Sequence, residues 1–375
     1  TSFYCIFSLT LYSTFCYQRK HHRNQVVTMT STSPINSASS PINSDEYKKA
    51  IDLKNDEKFL EAVRILRKFD TASLTDDDRS TLELAVECET IIAFLKSKPK
   101  IHVPTDDSDE NDGDEDNIEE KKDGTDEGKG WIKKGDNLRE TIVHYRYDDI
   151  KHHLELRVDS TIERSLLVPM LAVLNESDLY KTWLPSWSFP VRFGATSTTK
   201  LTERGKVSQL IGVNVDIPWP LKSRDAMIGA FGFDDIDANG DLVVKVNSCK
   251  TSDVFLGMSV PSPSDPDILR SKFSGGFLFR KDPDPYPEGN EKGENDENER
   301  VLVSFAFLID PQFKYIPQWF LDFVIGTVVR SVSNQFFNVA REVRDGKREQ
   351  HTNIMEERSD IYEWIRMRVD KLFQF

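Results

Sequence analysis

The chain has 375 residues, 38% of them hydrophobic and 10% aromatic, enough for two or three domains with a core of ordinary size. Its net charge of −14 is concentrated in two segments, 106–127 with thirteen acids and 281–300 with eight. With these set aside the remainder is near neutral and has no basic stripe, which excludes a nucleic-acid partner. Cys5, Cys16, Cys88 and Cys249 have no paired spacing, so a disulfide framework and a zinc site are excluded as well and a reducing, cytoplasmic setting fits.

Phe3 to Tyr17 is apolar but shorter than the roughly 17–25 residues of a spanning helix. Its basic cluster, Arg19 to Arg23, comes after the apolar run, opposite to a signal peptide. The first methionine is Met29, and this prefix reads either as a truncated signal-anchor or as sequence upstream of the start. The Ser-, Thr- and Asn-rich stretch up to Ser44 reads as a disordered lead-in.

Residues 45–98 are predicted to form a small helical module. Tyr47, Ala50, Ile51 and Leu53 share one helix face, and Phe59, Ala62, Val63, Leu66 and Phe69 the next, like a tetratricopeptide-type hairpin. Thr75 can cap a third helix whose first turn, Asp76 to Asp78, favours its positive end. One hairpin and one helix are too few for a solenoid, so the module is expected to pack on the domain C-terminal to it or to meet a protein partner. Residues 99–130 are an acidic linker, nearly devoid of apolar residues and expected to be disordered.

From Trp131 the hydrophobic period changes to two. Strands are predicted at Thr141 to Tyr147, His152 to Ser160, Val191 to Leu201, Lys206 to Asp216, Asp225 to Asp237, Asp241 to Cys249, Gly276 to Arg280 and Val301 to Ile309. Asn239-Gly240 signals a hairpin turn, and Asp234-Asp235 reads as turn solvation. Glu163 to Glu176, interrupted by Pro169, and Asp178 to Trp183 read as helices. A last long helix is predicted from Ile316 to Val343, with Leu321, Ile325, Val328, Val329, Val332, Phe336, Val339 and Val343 on one face. The tail, 347–375, is expected to be helical from Asn353, without a legible role.

Between two of the strands lies Pro218-Trp219-Pro220-Leu221-Lys222-Ser223-Arg224-Asp225, a proline-fixed turn leading into two adjacent charges. Neighbours in a strand point to opposite faces, so one of Arg224 and Asp225 must look inward, where a charge needs a partner or a ligand. Trp219-Pro220 followed by Arg224-Asp225 resembles the START lipid-transfer domain. Trp131, Leu179-Tyr180-Lys181-Thr182-Trp183, Gly275-Gly276-Phe277, Asp310-Pro311 and Ile316-Pro317-Gln318-Trp319 continue the resemblance in order, over 131–346. It implies an α+β helix-grip fold, a curved antiparallel sheet wrapped around a long C-terminal helix with a tunnel for one lipid, here preceded by the helical module.

Alternation nominates Val213, Val215, Ile228, Phe231, Val244, Val246, Phe305 and Phe307 as cavity wall, with Ile325, Val328, Val329 and Val332 from the last helix. Arg224, Asp225, Asn247 and Glu203 are the polar candidates, Glu203 because the resemblance implies an acid on an earlier strand that complements the arginine. Trp219, Pro220, Trp319, Phe320 and Phe323 are the expected gate and membrane contact. The ligand stays open among sterol, phospholipid, sphingolipid and fatty acyl chemistry.

No nucleophile elbow, phosphate loop or zinc-protease motif occurs in the sequence, and His152 and His153, adjacent in a strand, cannot share a metal. The expectation is a non-enzymatic, cofactor-free lipid carrier that touches membranes transiently. The other reading is a lipid-responsive sensor whose output is the helical module.

Overall fold

The computed structural model describes residues 44–97, 131–134, 141–148, 153–187, 193–216, 223–263, 265, 268–270, 272–283, 299–309 and 324–374. The apolar prefix, the acidic linker, most of the acidic insert, Trp219, Pro220, Trp319, Phe320 and Phe323 lie outside them. Among the described residues no helix is long and apolar enough to cross a membrane.

Three helices come first: α1 (Asp45–Asn55), α2 (Phe59–Leu66) and α3 (Asp76–Lys96). Ser44 caps α1 by accepting from Tyr47 N, and Thr75 caps α3 by accepting from Asp78 N, each at 3.1 Å. The strands follow as β1 (Ile132–Lys134), β2 (Thr141–Asp148), β3 (His153–Glu163), β4 (Ser186–Trp187), β5 (Phe193–Arg204), β6 (Ser208–Asp216) and β7 (Arg224–Asp235). After them come β8 (Asp241–Ser248), the short pair β9 (Val254–Phe255) and β10 (Met258–Ser259), then β11 (Leu269–Arg270), β12 (Phe273–Lys281) and β13 (Arg300–Ile309). Helix α4 (Leu167–Asn175) lies after β3, and the one-turn α5 (Ile236–Asn239) after β7. A π-wound turn, Val324–Val329, leads into α6 (Arg330–Arg344), and α7 (Glu349–Glu357) and α8 (Ser359–Leu372) close the chain.

The main sheet runs β1-β2-β3-β13-β12-β8-β7-β6-β5-β4, antiparallel throughout, with β11 added parallel to the start of β7. Its inner face packs on α4, α6 and α8: Phe279, Val301 and Val303 meet Leu167, Met170, Phe336, Val339, Tyr362 and Ile365 in one cluster. An antiparallel sheet closed on a C-terminal helix is the expected α+β helix-grip arrangement.

Several elements differ from the sequence reading. Strand β3 continues to Glu163 and α4 starts only at Leu167, so Pro169 falls in its first turn, where a missing N–H costs little. The Asn239-Gly240 turn is a one-turn helix closed by Gly240 at φ 64. The long last helix is described from Val324, and its buried face includes Ser333, Phe337 and Ala340 beside the predicted Phe336, Val339 and Val343.

Helices α2 and α3 lie across the outer face. Leu60, Val63, Ala85, Cys88 and Leu95 cover Phe233, Val243, Leu278 and Ala306 in a single cluster. Each large side chain so buried contributes roughly 1.5–3 kcal/mol. Arg157 on β3 fastens the end of α3: its guanidinium donates to the Phe94, Leu95 and Ser97 carbonyls at 3.1, 2.7 and 2.5 Å, and pairs with Asp159. A cation there satisfies carbonyls that the helix leaves unpaired.

Asp234 and Asp235 are not turn solvation. Alternation sends Asp234 inward to Arg368 on α8 and Asp235 outward to Arg64 on α2. Asp237 meets Lys58, Arg368 and Lys371, and Asp241 meets Lys96. Burial works to raise the Asp237 carboxyl, but hydrogen bonds from Lys371, Arg368 and Lys58 outweigh it and hold it below the usual carboxylate range. One acidic turn thus ties helices from both ends of the chain to the sheet.

Candidate functional site

Register decides which side chains share a face. Val215 pairs with Arg224, Val213 with Ala226 and Ile211 with Ile228, and directly paired residues point the same way. The next row crosses most of the sheet: Ala230 pairs with Val246, Val246 with Gly275, Gly275 with Phe307, and Phe307 with Leu156. All of these belong to the inner face, and Arg224 is at its edge.

Packing on that face loosens along β13. Val301 and Val303 are 0% exposed and Phe305 is 7% exposed, whereas Phe307 and Ile309 are half-buried. The same half-burial holds for Val215, Ile228, Val246 and Phe273 at this end of the neighbouring strands, and for Val328 and Val329 in the π-wound turn. A close-packed core would cover such side chains. They form an apolar wall with unused contact area, beside the Arg224 charge.

Aromatic rings set the wall's relief. Phe277 lies 5.4 Å from Phe305, 5.8 Å from Phe307 and 6.1 Å from Phe336, centre to centre. Gly275 makes room for them: a Cβ there would sit 2.2 Å from the Ala306 carbonyl and 2.6 Å from the Phe307 ring. Tyr180 backs the wall near Val213 and donates its hydroxyl to the Leu174 carbonyl at 2.6 Å. Burial, then the nearby Glu176 carboxylate, raises the Tyr180 pKa, so this phenol stays a donor.

Of the sequence-predicted wall residues, Val213, Val215, Ile228, Val246 and Phe307 share this end of the inner face. Val244 and Phe305 share the face but pack deeper, into the aromatic core. The side chain of Ile325 lies outside the description, and Val332 is half-buried one turn beyond Val329.

Phe231 points outward, its ring 4.9 Å from Phe255 on the covering hairpin, because it is an odd number of residues from Ile228. Asn247 faces outward too and accepts from Lys245 Nζ at 2.9 Å. Asp225 lies on the outer face, 2% exposed, where Arg270 donates to both its oxygens, Nη2 at 2.5 Å and Nε at 3.1 Å. Glu203 is at the opposite end of the sheet, paired in register with Gln209 and bonded to Lys200 and Arg358 at 2.7 and 2.9 Å. So Arg224 is brought to the wall, while Asp225, Asn247 and Glu203 are not.

Phe273 and Ile309 join the wall without being nominated from sequence: Phe273 precedes the strand predicted from Gly276, and Ile309 is the last residue of the strand predicted from Val301. The spacing Phe273, Phe277, Phe279 was the available signal, since odd positions of one strand share a face. Arg270 had none, because its pairing with Asp225 depends on a two-residue parallel strand.

No protein-family profile matches the chain, and no curated protein matches it. Solved structures do. A STAR-related lipid transfer protein (fragment 25–204) from Xanthomonas axonopodis aligns at 15% identity and TM-score 0.40, over 57% of this chain and 99% of its own. Human STARD10 aligns at 12% identity and TM-score 0.40, over 58% of this chain and 76% of its own. The lipid transfer and protein localization domain of human StarD13 aligns at 13% and 0.35, over 56% and 89%. At such identities and TM-scores nothing about ligand or partner transfers from them to this chain.

Proposed function

We propose that the chain binds one hydrophobic lipid against the inner face at the Arg224 end, with 131–346 as the binding unit, and carries it between membranes. The observation that carries this reading is the gradient along β13, from full burial at Val301 to half-burial at Phe307 and Ile309, beside the inward arginine. Half-buried apolar area of this kind gains roughly 25 cal/mol for each Å² that a ligand removes from water. Arg224 would orient a polar head group, and the ordered START-like motifs around it support the same chemistry.

Strand β6 ends at Asp216 and β13 at Ile309, both at this end of the sheet. The START-like motifs that hold Trp219-Pro220 and Trp319, Phe320 and Phe323 support their role as gate and membrane contact. No catalytic step is proposed. A sensor reading has one observation in its favour: α2 and α3 lie on the back of β7, β8, β12 and β13, the strands whose other face would hold the ligand.

The test is native mass spectrometry with lipid extraction on the full chain purified from a eukaryotic host. One lipid class at one per chain is expected. A chain that is empty and takes up nothing from mixed vesicles would overturn the reading.

A further inference from the structure

A hollow lies on the inner face at the end of the strands opposite Arg224, under α8. Leu171, Leu174, Val207, Val244 and Trp364 supply apolar wall, and Glu57 enters from the helical module. Ala230, at its border, is six positions along β7 from Arg224, about 20 Å of strand. Gln209 lines the hollow beside Ala230; its amide donates to Asn175 at 2.7 Å and its oxygen accepts from Ser177 at 3.0 Å.

Glu57 has a backbone that its residue type disfavours. It lies just after α1 at φ 61, the left-handed position where a helix normally takes glycine, and Lys58 N closes the turn on the Leu53 carbonyl at 2.8 Å. Its side chain explains part of the choice: Oε1 accepts from Lys206 N at 2.6 Å. Gly205 is fitted to that contact, since a Cβ there would fall 1.5 Å from Oε1. Glu57 as a whole is 7% exposed, and its Oε2 is buried without a hydrogen-bond partner. A buried acceptor left unpaired is costly, and strain kept at such a position points to a task beyond holding the turn. Burial raises the Glu57 pKa, while the Lys206 N–H and ammonium work the other way. At the rim, Lys206 Nζ stands 4.8 Å above the Trp364 ring and closes one side.

We infer that this hollow is a second binding site, for a slender single-chain amphiphile whose head donates a hydrogen bond to Glu57 Oε2 and whose chain lies between Trp364 and the sheet. The donor is a hydroxyl or an ammonium group. The lining also holds Asn175, Gln209, Asp234 and Arg368, but these are hydrogen-bonded to one another or to neighbouring protein groups, which leaves Glu57 Oε2 as the acceptor that a ligand head can take up on an otherwise mostly apolar wall.

The experiment tracks the Trp364 indole N–H resonance of the full chain, assigned through Trp364→Phe, during titration with 1-octanol, octylammonium and n-octane. Saturable 1:1 shifts are expected with at least one donor probe, at least tenfold tighter than with octane, and the tighter of the two identifies the head group. Glu57→Gly, which suits the φ of 61, should keep the fold and weaken that binding at least tenfold. Val215→Trp, which fills the Arg224 end, should leave it unchanged. The inference is overturned if neither donor probe saturates, if octane binds equally well, or if Glu57→Gly binds as the parent does. It is also overturned if Val215→Trp abolishes binding, since the hollow would then be the far end of the first site. Lipid retained by Glu57→Gly in extraction reports separately on the carrier reading.

Discussion

Arg224 and Asp225 are adjacent, opposite in charge and opposite in role, which makes them a clean comparison. Asp225 and Arg270 have side chains 3% and 8% exposed, so removing one partner strands a buried charge. Asp225→Ala should cost about 3–5 kcal/mol, read as a drop in the urea midpoint. Arg224→Leu should lower the midpoint less than Asp225→Ala does, since Arg224 is only half-buried at the edge of its face, while lowering the amount of co-purified lipid several-fold. Equal destabilisation by both changes would contradict the face assignment. Alternation alone required one of the two to look inward; only the register of β6 on β7 shows which. The same rule already separated Ile228 from Phe231 and Val246 from Asn247, since odd spacings never share a face. Glu203 was misplaced for another reason: β5 shifts register on β6 between Ala195 and Ser197 and again between Lys200 and Thr202, so counting along it from sequence fails.

At the scale of the element, the strands were legible because one side of each is buried and the period of two survives. The limits of helices were less so: α4 is read as starting too early because β3 and the helix are joined by a single 3-10 turn, Arg164–Leu166. The terminal helices were legible as helices and illegible in role, since their partners lie far away in sequence. Tyr362 is 0% exposed and donates to Glu176, and Arg358 reaches both Glu176 and Glu203. Two elements have a single residue on which they depend. Gly275→Ala should push the Phe307 ring and the Ala306 carbonyl apart and destabilise the β12–β13 pair by about 1–3 kcal/mol, visible in the midpoint and in altered Phe307 resonances. Arg157→Met should uncap α3 and leave Asp159 without its guanidinium, costing about 3 kcal/mol. Hydrogen exchange should then speed up at 91–97 before the sheet amides change.

At the scale of the whole molecule, two buried histidines among the described residues make stability depend on pH between about 7.5 and 5.5. His351 is 1% exposed with both ring nitrogens unpaired, and His144 is 6% exposed on the outer face, paired in register with Arg157. Burial lowers both pKa values from 6.5; Arg348 adds to it at His351 while Glu176 opposes, and at His144 Asp159 opposes while Arg157 and Lys133 add. The unfolded chain therefore binds more protons below about pH 6.5, so this stability is present above that pH and is lost as pH falls below it. The slope should reach up to about 1.4 kcal/mol per pH unit for each histidine. Urea midpoints at pH 7.5 and 5.5 would check it, and a flat profile would contradict neutral burial. The helical cover described on the outer face has one more consequence, in the timing of synthesis. Helix α3 leaves the ribosome before any of the strands it rests on exists, and its last partner, Ala306, is made roughly 200 residues later, about 10–40 s at ordinary translation rates. Phe233, Val243 and Leu278 are made in between, so the surface that Leu60, Val63, Ala85 and Leu95 cover is assembled strand by strand and is complete only when β13 has been translated.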